Sequence, residues 1–340
     1  MTTTAMRMRR RLSVPWVQLI ILALVWVLFI AVDPRFASVD RVFGVLQGFA
    51  FLGLIAAGVG ITIIVGELDL SVGSMAAVGG VVVVSALPLG IVPAILLATA
   101  IGGVFGLVQG LLIARLRISS LVFTIGSMFA LRGLANVIAN EQVVSVPIDQ
   151  LGVSNALISR IGIISPFSLV TILVVVAVGL FLAYSRFGRE LYAVGGGRSE
   201  SRAAGVPQLR PIGIAFLGSG ALASLAGALS SIASGSGAPF AFEPVLVSAI
   251  TAALIGGLAM GGGKGGMVNI VLGALIVSTF TAGLSLNGVP ANVQQLAIGA
   301  LLLLIIVVDV LRDSHSAWLT RLLLPGRRTS LDVVQAGSTQ

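Results

Sequence analysis

The apolar positions of this chain fall in blocks, not in alternation. Ten stretches dominated by Leu, Ile, Val, Ala, Gly and Phe cover residues 15–32, 42–66, 72–87, 91–114, 119–139, 166–184, 211–232, 244–260, 267–286 and 291–310. A block of about 20 such residues, wound as an α-helix, spans the hydrocarbon core of a bilayer. The pattern therefore predicts an all-α polytopic membrane protein with about ten transmembrane helices. It divides the chain into an N-terminal arm over 1–14, a transmembrane domain over 15–311 with a long charged loop at 185–210, and a tail over 312–340.

Two polar interruptions mark broken or re-entrant helices. Gly66-Glu67-Leu68-Asp69-Leu70-Ser71-Val72-Gly73-Ser74 separates the second and third blocks. Gly256-Gly257-Leu258-Ala259-Met260-Gly261-Gly262-Gly263-Lys264-Gly265-Gly266 ends the eighth. Non-helical backbone at membrane depth is tolerated only where protein or a water-filled cavity satisfies its amides and carbonyls, and in transporters such breaks often mark the substrate path. Both follow a long apolar run, which hints at an internal repeat.

Composition narrows the reading. Of 340 residues 57% are hydrophobic and 9% charged, too little charge to cover a soluble domain. The net charge of +8 comes from 19 Arg and one Lys grouped in short clusters between the blocks. That is the spacing of membrane loops, and it gives no reason to expect nucleic acid. The absence of cysteine excludes disulfides and thiolate chemistry. A single histidine, His315, cannot anchor a Ser-His-Asp set or a metal cluster, and it reads as a solvated residue beside Asp313.

The first block follows Arg7, Arg9, Arg10 and Arg11, as a secretory signal would. Its length, and the lack of a small-x-small site around Asp33-Pro34-Arg35, favour a retained helix. Basic residues concentrate in short cytoplasmic loops. With the N-terminus inside, sixteen of the twenty fall on the cytoplasmic side, and Arg35, Arg41, Arg132 and Arg160 are the exceptions. Both termini are expected to be cytoplasmic.

Several residues are candidates for more than packing. Gly102, Gly106 and Gly110 put three glycines on one helix face, a surface for close helix approach or, alternatively, a pore lining. Asp69 would cost about 2.5–3.5 kcal/mol if stranded against lipid. Either it or Ser71 is therefore expected to cap the next helix, or Asp69 lines the translocation path, and the two roles can coexist. Glu67 is expected to be solvated. Arg132, one turn before Asn136, either works inside the bundle or snorkels to the interface. The Gly263-Lys264 pair lacks the glycine spacing and the Ser or Thr of a phosphate loop, so this chain is not expected to bind ATP through it.

The longest charged loop carries most information. Ser185-Arg186-Phe187-Gly188-Arg189-Glu190-Leu191-Tyr192-Ala193-Val194-Gly195-Gly196-Gly197-Arg198-Ser199-Glu200-Ser201-Arg202-Ala203-Ala204-Gly205-Val206 mixes both charges with apolar residues. It predicts a helix over 189–194, a glycine break and a second helix over 198–204. Leu191, Tyr192 and Val194, set between charges, suggest a knob that docks on another protein.

At these residues the chain resembles the permease subunit of carbohydrate ABC importers of the ribose, xylose and arabinose type, over about 42–309. The resemblance rests on Asp69-Leu70-Ser71-Val72-Gly73-Ser74 and Leu131-Arg132-Gly133. It continues with Gly188 to Gly196 together with Arg202 and Gly205, and with Gly262-Gly263-Lys264-Gly265. It implies a transport subunit without catalytic residues or a metal site. Two permease copies, or this chain and a sister permease, would enclose the path. Two ATP-binding subunits would hold ATP and Mg beneath them, and an extracytoplasmic sugar-binding protein would deliver a pentose or hexose. In that arrangement the loop 188–206 couples to the ATPase through Arg189, Glu190 and Arg202, with Gly195, Gly196 and Gly205 at its turns. The family commonly has Asn at Gly197, small residues at Glu200, and Ser or Thr at Ala259. Related permeases carry nucleosides, autoinducer-2 and, more distantly, branched-chain amino acids. The main rival is a secondary transporter driven by an ion gradient. It would explain the spans and breaks but not the loop.

Overall fold

A computed structural model describes residues 15–323, with side chains described through residue 307. The arginines of the N-terminal arm, Arg327 and Arg328 lie outside the described residues, and so does the side chain of His315.

Each apolar block forms a helix. They are α1 (Trp16–Val32), α2 (Val39–Ile64), α3 (Val72–Ala86), α4 (Ile91–Leu116) and α5 (Ser120–Ile138). After the short α6 (Leu151–Ile158) come α7 (Pro166–Tyr184), α8 (Arg186–Gly196), α9 (Arg198–Ala203), α10 (Leu209–Ser234), α11 (Val245–Ile255), α12 (Met267–Leu286) and α13 (Ala291–Leu323). Seven are long and apolar enough to cross a bilayer: α2, α3 with the turn after it, α4, α5, α7, α10 and α12. The other apolar helices, α1, α11 and 291–307 of α13, are shorter. The described residues through Gly299 form one compact unit, and those from Ala300 a second that is helical through Leu323.

Burial separates centre from rim in the first unit. α2, α3 and α10 are mostly buried, whereas no more than 28% of the span in α4, α5 or α7 is buried. The exposed residues are large and apolar, among them Leu96, Val104, Val122, Phe129, Leu173 and Val176. In water they would form an apolar patch far beyond what soluble monomers carry. Against lipid tails they need no cover. Because lipid is as apolar as leucine, helix association here depends on close packing, and the α4–α10 seam shows how it is achieved. A Cβ on Gly102 would lie 2.4 Å from the Gly220 carbonyl oxygen, and one on Gly106 2.1 Å from that of Phe216. The Gly102, Gly106 and Gly110 face is a packing surface and lines no pore.

The expected break after the eighth block is present: α11 stops at Ile255, Gly256 and Gly257 form the turn, and 256–266 is irregular. One segment departs from the sequence pattern. The segment 140–165 holds α6 and a short strand, β1 (Val144–Ser145), antiparallel to β2 (Ser236–Gly237). Its mixed apolar and polar residues have no clear period to read.

Candidate functional site

The first break is held by side chains from three helices. α2 ends with the Glu67 amide donating to the Thr62 carbonyl at 2.9 Å, and Gly66 takes a φ of 81° that favours glycine. Downstream, the Leu68 amide donates to Ser120 Oγ (3.3 Å) and the Leu70 amide to Thr124 Oγ1 (3.2 Å). The start of α5 thus supplies acceptors that the broken helix lacks. Asp69, 1% exposed, is the hub. Its Oδ1 accepts from the Ser71 amide (2.9 Å), the Ser71 hydroxyl (2.5 Å) and Gln109 Nε2 of α4 (3.3 Å), and its Oδ2 accepts from Ser219 Oγ of α10 (2.7 Å). Asp69 therefore closes a turn and ties the start of α3 to α4 and α10. Ser71 donates to Asp69 and caps no amide of α3 through its side chain. Gly73 lets the next wall approach: a Cβ there would lie 2.8 Å from the Phe242 carbonyl oxygen.

Arg132 pairs with Glu243 at 3.0 Å, with its guanidinium 5.8 Å from the Phe129 ring centre. It thereby ties α5 to the segment that leads into α11. Asn136 donates to the Arg132 carbonyl, one turn back in the same helix, at 3.0 Å, and does not meet the guanidinium.

The charged loop forms a two-helix hairpin, α8 and α9, parted by Gly197. While Phe187 stays 40% exposed, two apolar residues of the hairpin point inward: Leu191 is 0% and Val194 1% exposed. They pack on this chain's own bundle, which corrects their reading as a surface for another protein. An amphipathic helix shows that it has a buried face but not what covers it. Glu190 also turns in, its side chain 11% exposed and paired with Arg186 Nε at 2.9 Å. Arg189 and Arg202 are exposed. Arg189 donates to the Tyr184 carbonyl and Arg202 to Gln208 Oε1. Glu200 is held below the usual carboxylate range by its own backbone amide and by the Ser199 hydroxyl 2.9 Å away. Gly205 does occupy a turn, with a φ of 77°.

The hairpin meets both breaks at one joint. Glu67, expected to be solvated, has a side chain only 7% exposed and forms an ion pair with Arg198 of α9. The Gly263 amide donates to the Ile64 carbonyl at 2.9 Å, and Tyr192 Oη donates to the Gly265 carbonyl at 3.0 Å. Gly195 is helical, not in a turn, and sits where a Cβ would lie 1.9 Å from Ile64 O and 2.7 Å from Gly263 N. Across from it, a Cβ on Gly262 would lie 2.8 Å from Gly66 Cα, and one on Gly263 2.5 Å from Gly196 Cα. Lys264 is exposed beside this joint. The second break is tied further along, where Gln18 and Asn269 both donate to the Gly256 carbonyl, at 3.0 and 2.9 Å.

Sequence reasoning missed Gln109, Ser219, Ser120, Thr124 and Glu243. For all but Glu243, a carboxylate in the turn before α11, the available signal was a lone amide or hydroxyl inside an apolar helix, whose lowest-cost position is opposite an unsatisfied partner. Among the described residues no group of three or more His, Asp or Glu side chains is placed to hold a metal ion.

A bundle of apolar helices, broken twice and jointed to a charged hairpin, is the frame of a membrane permease. The chain belongs to the family described as the permease component of branched-chain amino acid transport systems, whose profile matches residues 41–306. It is a multi-pass membrane protein of the inner membrane. It is 37% identical to the inner membrane ABC transporter permease protein YjfF of Escherichia coli, over 66% of this chain and 69% of that one. It is 30% identical to the ribose import permease protein RbsC of Escherichia coli, over 76% and 83% of the two chains. It is 31% identical to the L-arabinose transport system permease protein AraH of the same organism, over 71% and 75%. No protein of solved structure matches.

Proposed function

We propose that the chain is the transmembrane subunit of a binding-protein-dependent ABC importer that passes a monosaccharide, a pentose or hexose, across the inner membrane. The observation that carries this reading is the similarity to relatives named for ribose and arabinose import, each spanning 71% or more of this chain. They outweigh the amino acids named in the family's description because each is an individual protein matched over 75% or more of its own length. In this reading ten spans place both termini in the cytoplasm. A second permease, a copy or a sister chain, completes the path, and the partner ATPase holds ATP and Mg. An extracytoplasmic binding protein delivers the sugar.

The hairpin is then the coupling element. Its exposed side, with Arg189 and Arg202, meets the ATPase, while its buried side carries Leu191, Val194 and Gly195 against the bundle. Closure of the ATPase moves the hairpin, and the joint passes that movement to both breaks, which biases a two-state bundle. The test is uptake of labelled pentoses and hexoses in cells lacking the gene and in cells with it restored, with a protonophore or with ATP depleted. The reading predicts restored uptake that survives the protonophore and stops without ATP. Uptake that collapses with the proton gradient while ATP remains would identify a secondary transporter instead.

A further inference from the structure

The first helix carries one amide side chain in an otherwise apolar sequence. Gln18, in the first turn of α1, donates from Nε2 to the Gly256 carbonyl at 3.0 Å, and Asn269 of α12 donates to the same oxygen at 2.9 Å. Gly256 follows the last residue of α11, so its carbonyl lacks the amide that a continuing helix would supply. At membrane depth such a carbonyl must find a donor. Asn269 alone meets that need. A second amide, on a helix whose Ile20, Leu24 and Val27 are exposed, is a cost in lipid unless it holds something in place. We propose that Gln18 is a positioning residue that fixes the Gly256 end of the second break, so that movement of the hairpin bends this segment instead of dragging it whole. The proposal rests on the permease reading above.

The contacts at the two ends of 256–266 carry the assignment. Asn269 stands in the first turn of α12, just beyond the segment, so its bond closes the loop on itself and moves with it. Gln18 comes from 238 residues away and ties the loop to an independent helix. That helix is itself held. The Phe29 ring centre is 5.3 Å from that of Phe36 and 6.2 Å from that of Phe280, and a Cβ on Gly283 would lie 2.5 Å from the Phe29 ring. α1 therefore rests on the far end of α12, and Gln18 donates from a fixed support. The other end of the segment belongs to the hairpin, through the Tyr192 hydroxyl on the Gly265 carbonyl and the close approach of Gly263 to Gly196. Between the ends, Gly257, Gly262, Gly263 and Gly265 take φ values of 89°, 80°, 70° and 99°. Glycines in this region bend with little steric resistance. An anchored end, a driven end and glycines between them make a hinge, and the anchor is the part that α1 supplies.

The test uses the complete importer in liposomes, with the pentose or hexose that the wild-type chain takes up. It measures sugar taken up per ATP hydrolysed, thermal unfolding, and the rate at which a maleimide labels Met260→Cys, a position 55% exposed within the segment. The chain has no cysteine of its own, so that label reports on this site alone. Gln18→Met keeps the side-chain volume and removes the donor. It is expected to lower sugar taken up per ATP at least about threefold at normal abundance, and to speed labelling of Met260→Cys by a similar factor. Thr171→Val removes a bond of the same kind, from Thr171 Oγ1 of α7 to the Ala50 carbonyl of α2 at 2.7 Å. It is expected to lower the unfolding temperature and leave coupling and labelling unchanged. Wild-type coupling and labelling in Gln18→Met would overturn the proposal and leave the permease reading standing. Equal uncoupling in Thr171→Val would overturn it as well, by making the loss one of general stability. A wild-type chain that takes up no sugar would remove the permease reading and this proposal together.

Discussion

Near the start of α2, Gly44 faces open space and Gly48 stands where a Cβ would lie 3.8 Å from Ser278 Cβ. Where the same helix ends, the Ile64 carbonyl oxygen would lie 1.9 Å from a Cβ on Gly195. The two places are 20 residues apart on one helix, about 30 Å at 1.5 Å per residue. At the first, the missing side chains leave a volume. At the second, they let three backbones touch with no volume left. The same residue type thus serves a cavity at one end and a rigid contact at the other, and only a rigid contact can pass a displacement from one segment to the next.

The comparison can be broken by filling each end in turn. Gly195→Ala should have the largest effect, because its new methyl meets backbone that cannot rotate away. Overpacking of this kind costs about 1–3 kcal/mol or more, and transport should be lost at whatever abundance remains. Next is Asp69→Ala, which removes the acceptor shared by Ser71, Gln109 and Ser219. Each buried donor left unpaired costs about 1–3 kcal/mol, so thermal unfolding of the detergent-solubilised protein should shift down by several degrees. Ser219→Ala, which removes one of these donors, should cost about 1 kcal/mol. Arg198→Ala strips the partner from the mostly buried Glu67 side chain and should destabilise more than Glu67→Gln. Because Arg198 is half exposed, the difference should be no more than about 1 kcal/mol. The smallest effect belongs to Gly44→Ala, whose methyl meets nothing, and uptake and abundance should match the wild type.

The seven helices long enough to cross a bilayer were legible in the blocks because lipid demands that length and composition of any span. The break at Gly256 to Gly266 was legible in its glycines, but the residue at which α11 ends was not, since the apolar run continues to Met260. Asp69 was legible as a group that had to be satisfied. Its partners were not, because Gln109 and Ser219 are brought to it by the fold from distant helices. Leu191 and Val194 showed that α8 has a buried face, yet the same stripe would suit a partner or the chain's own bundle. Gly44, Gly102 and Gly195 look alike in a sequence, and only the atoms opposite them separate hollow, seam and joint.

That the hairpin reaches both breaks through the Gly195 contact is tested most directly by reconstituting the importer in liposomes. Sugar taken up per ATP hydrolysed is measured in Gly195→Ala and in Gly196→Ala, whose added methyl meets nothing within 4 Å. Wild-type coupling is expected in Gly196→Ala and, in Gly195→Ala, ATP hydrolysis without matching uptake. Wild-type coupling in Gly195→Ala would contradict a rigid joint at that contact.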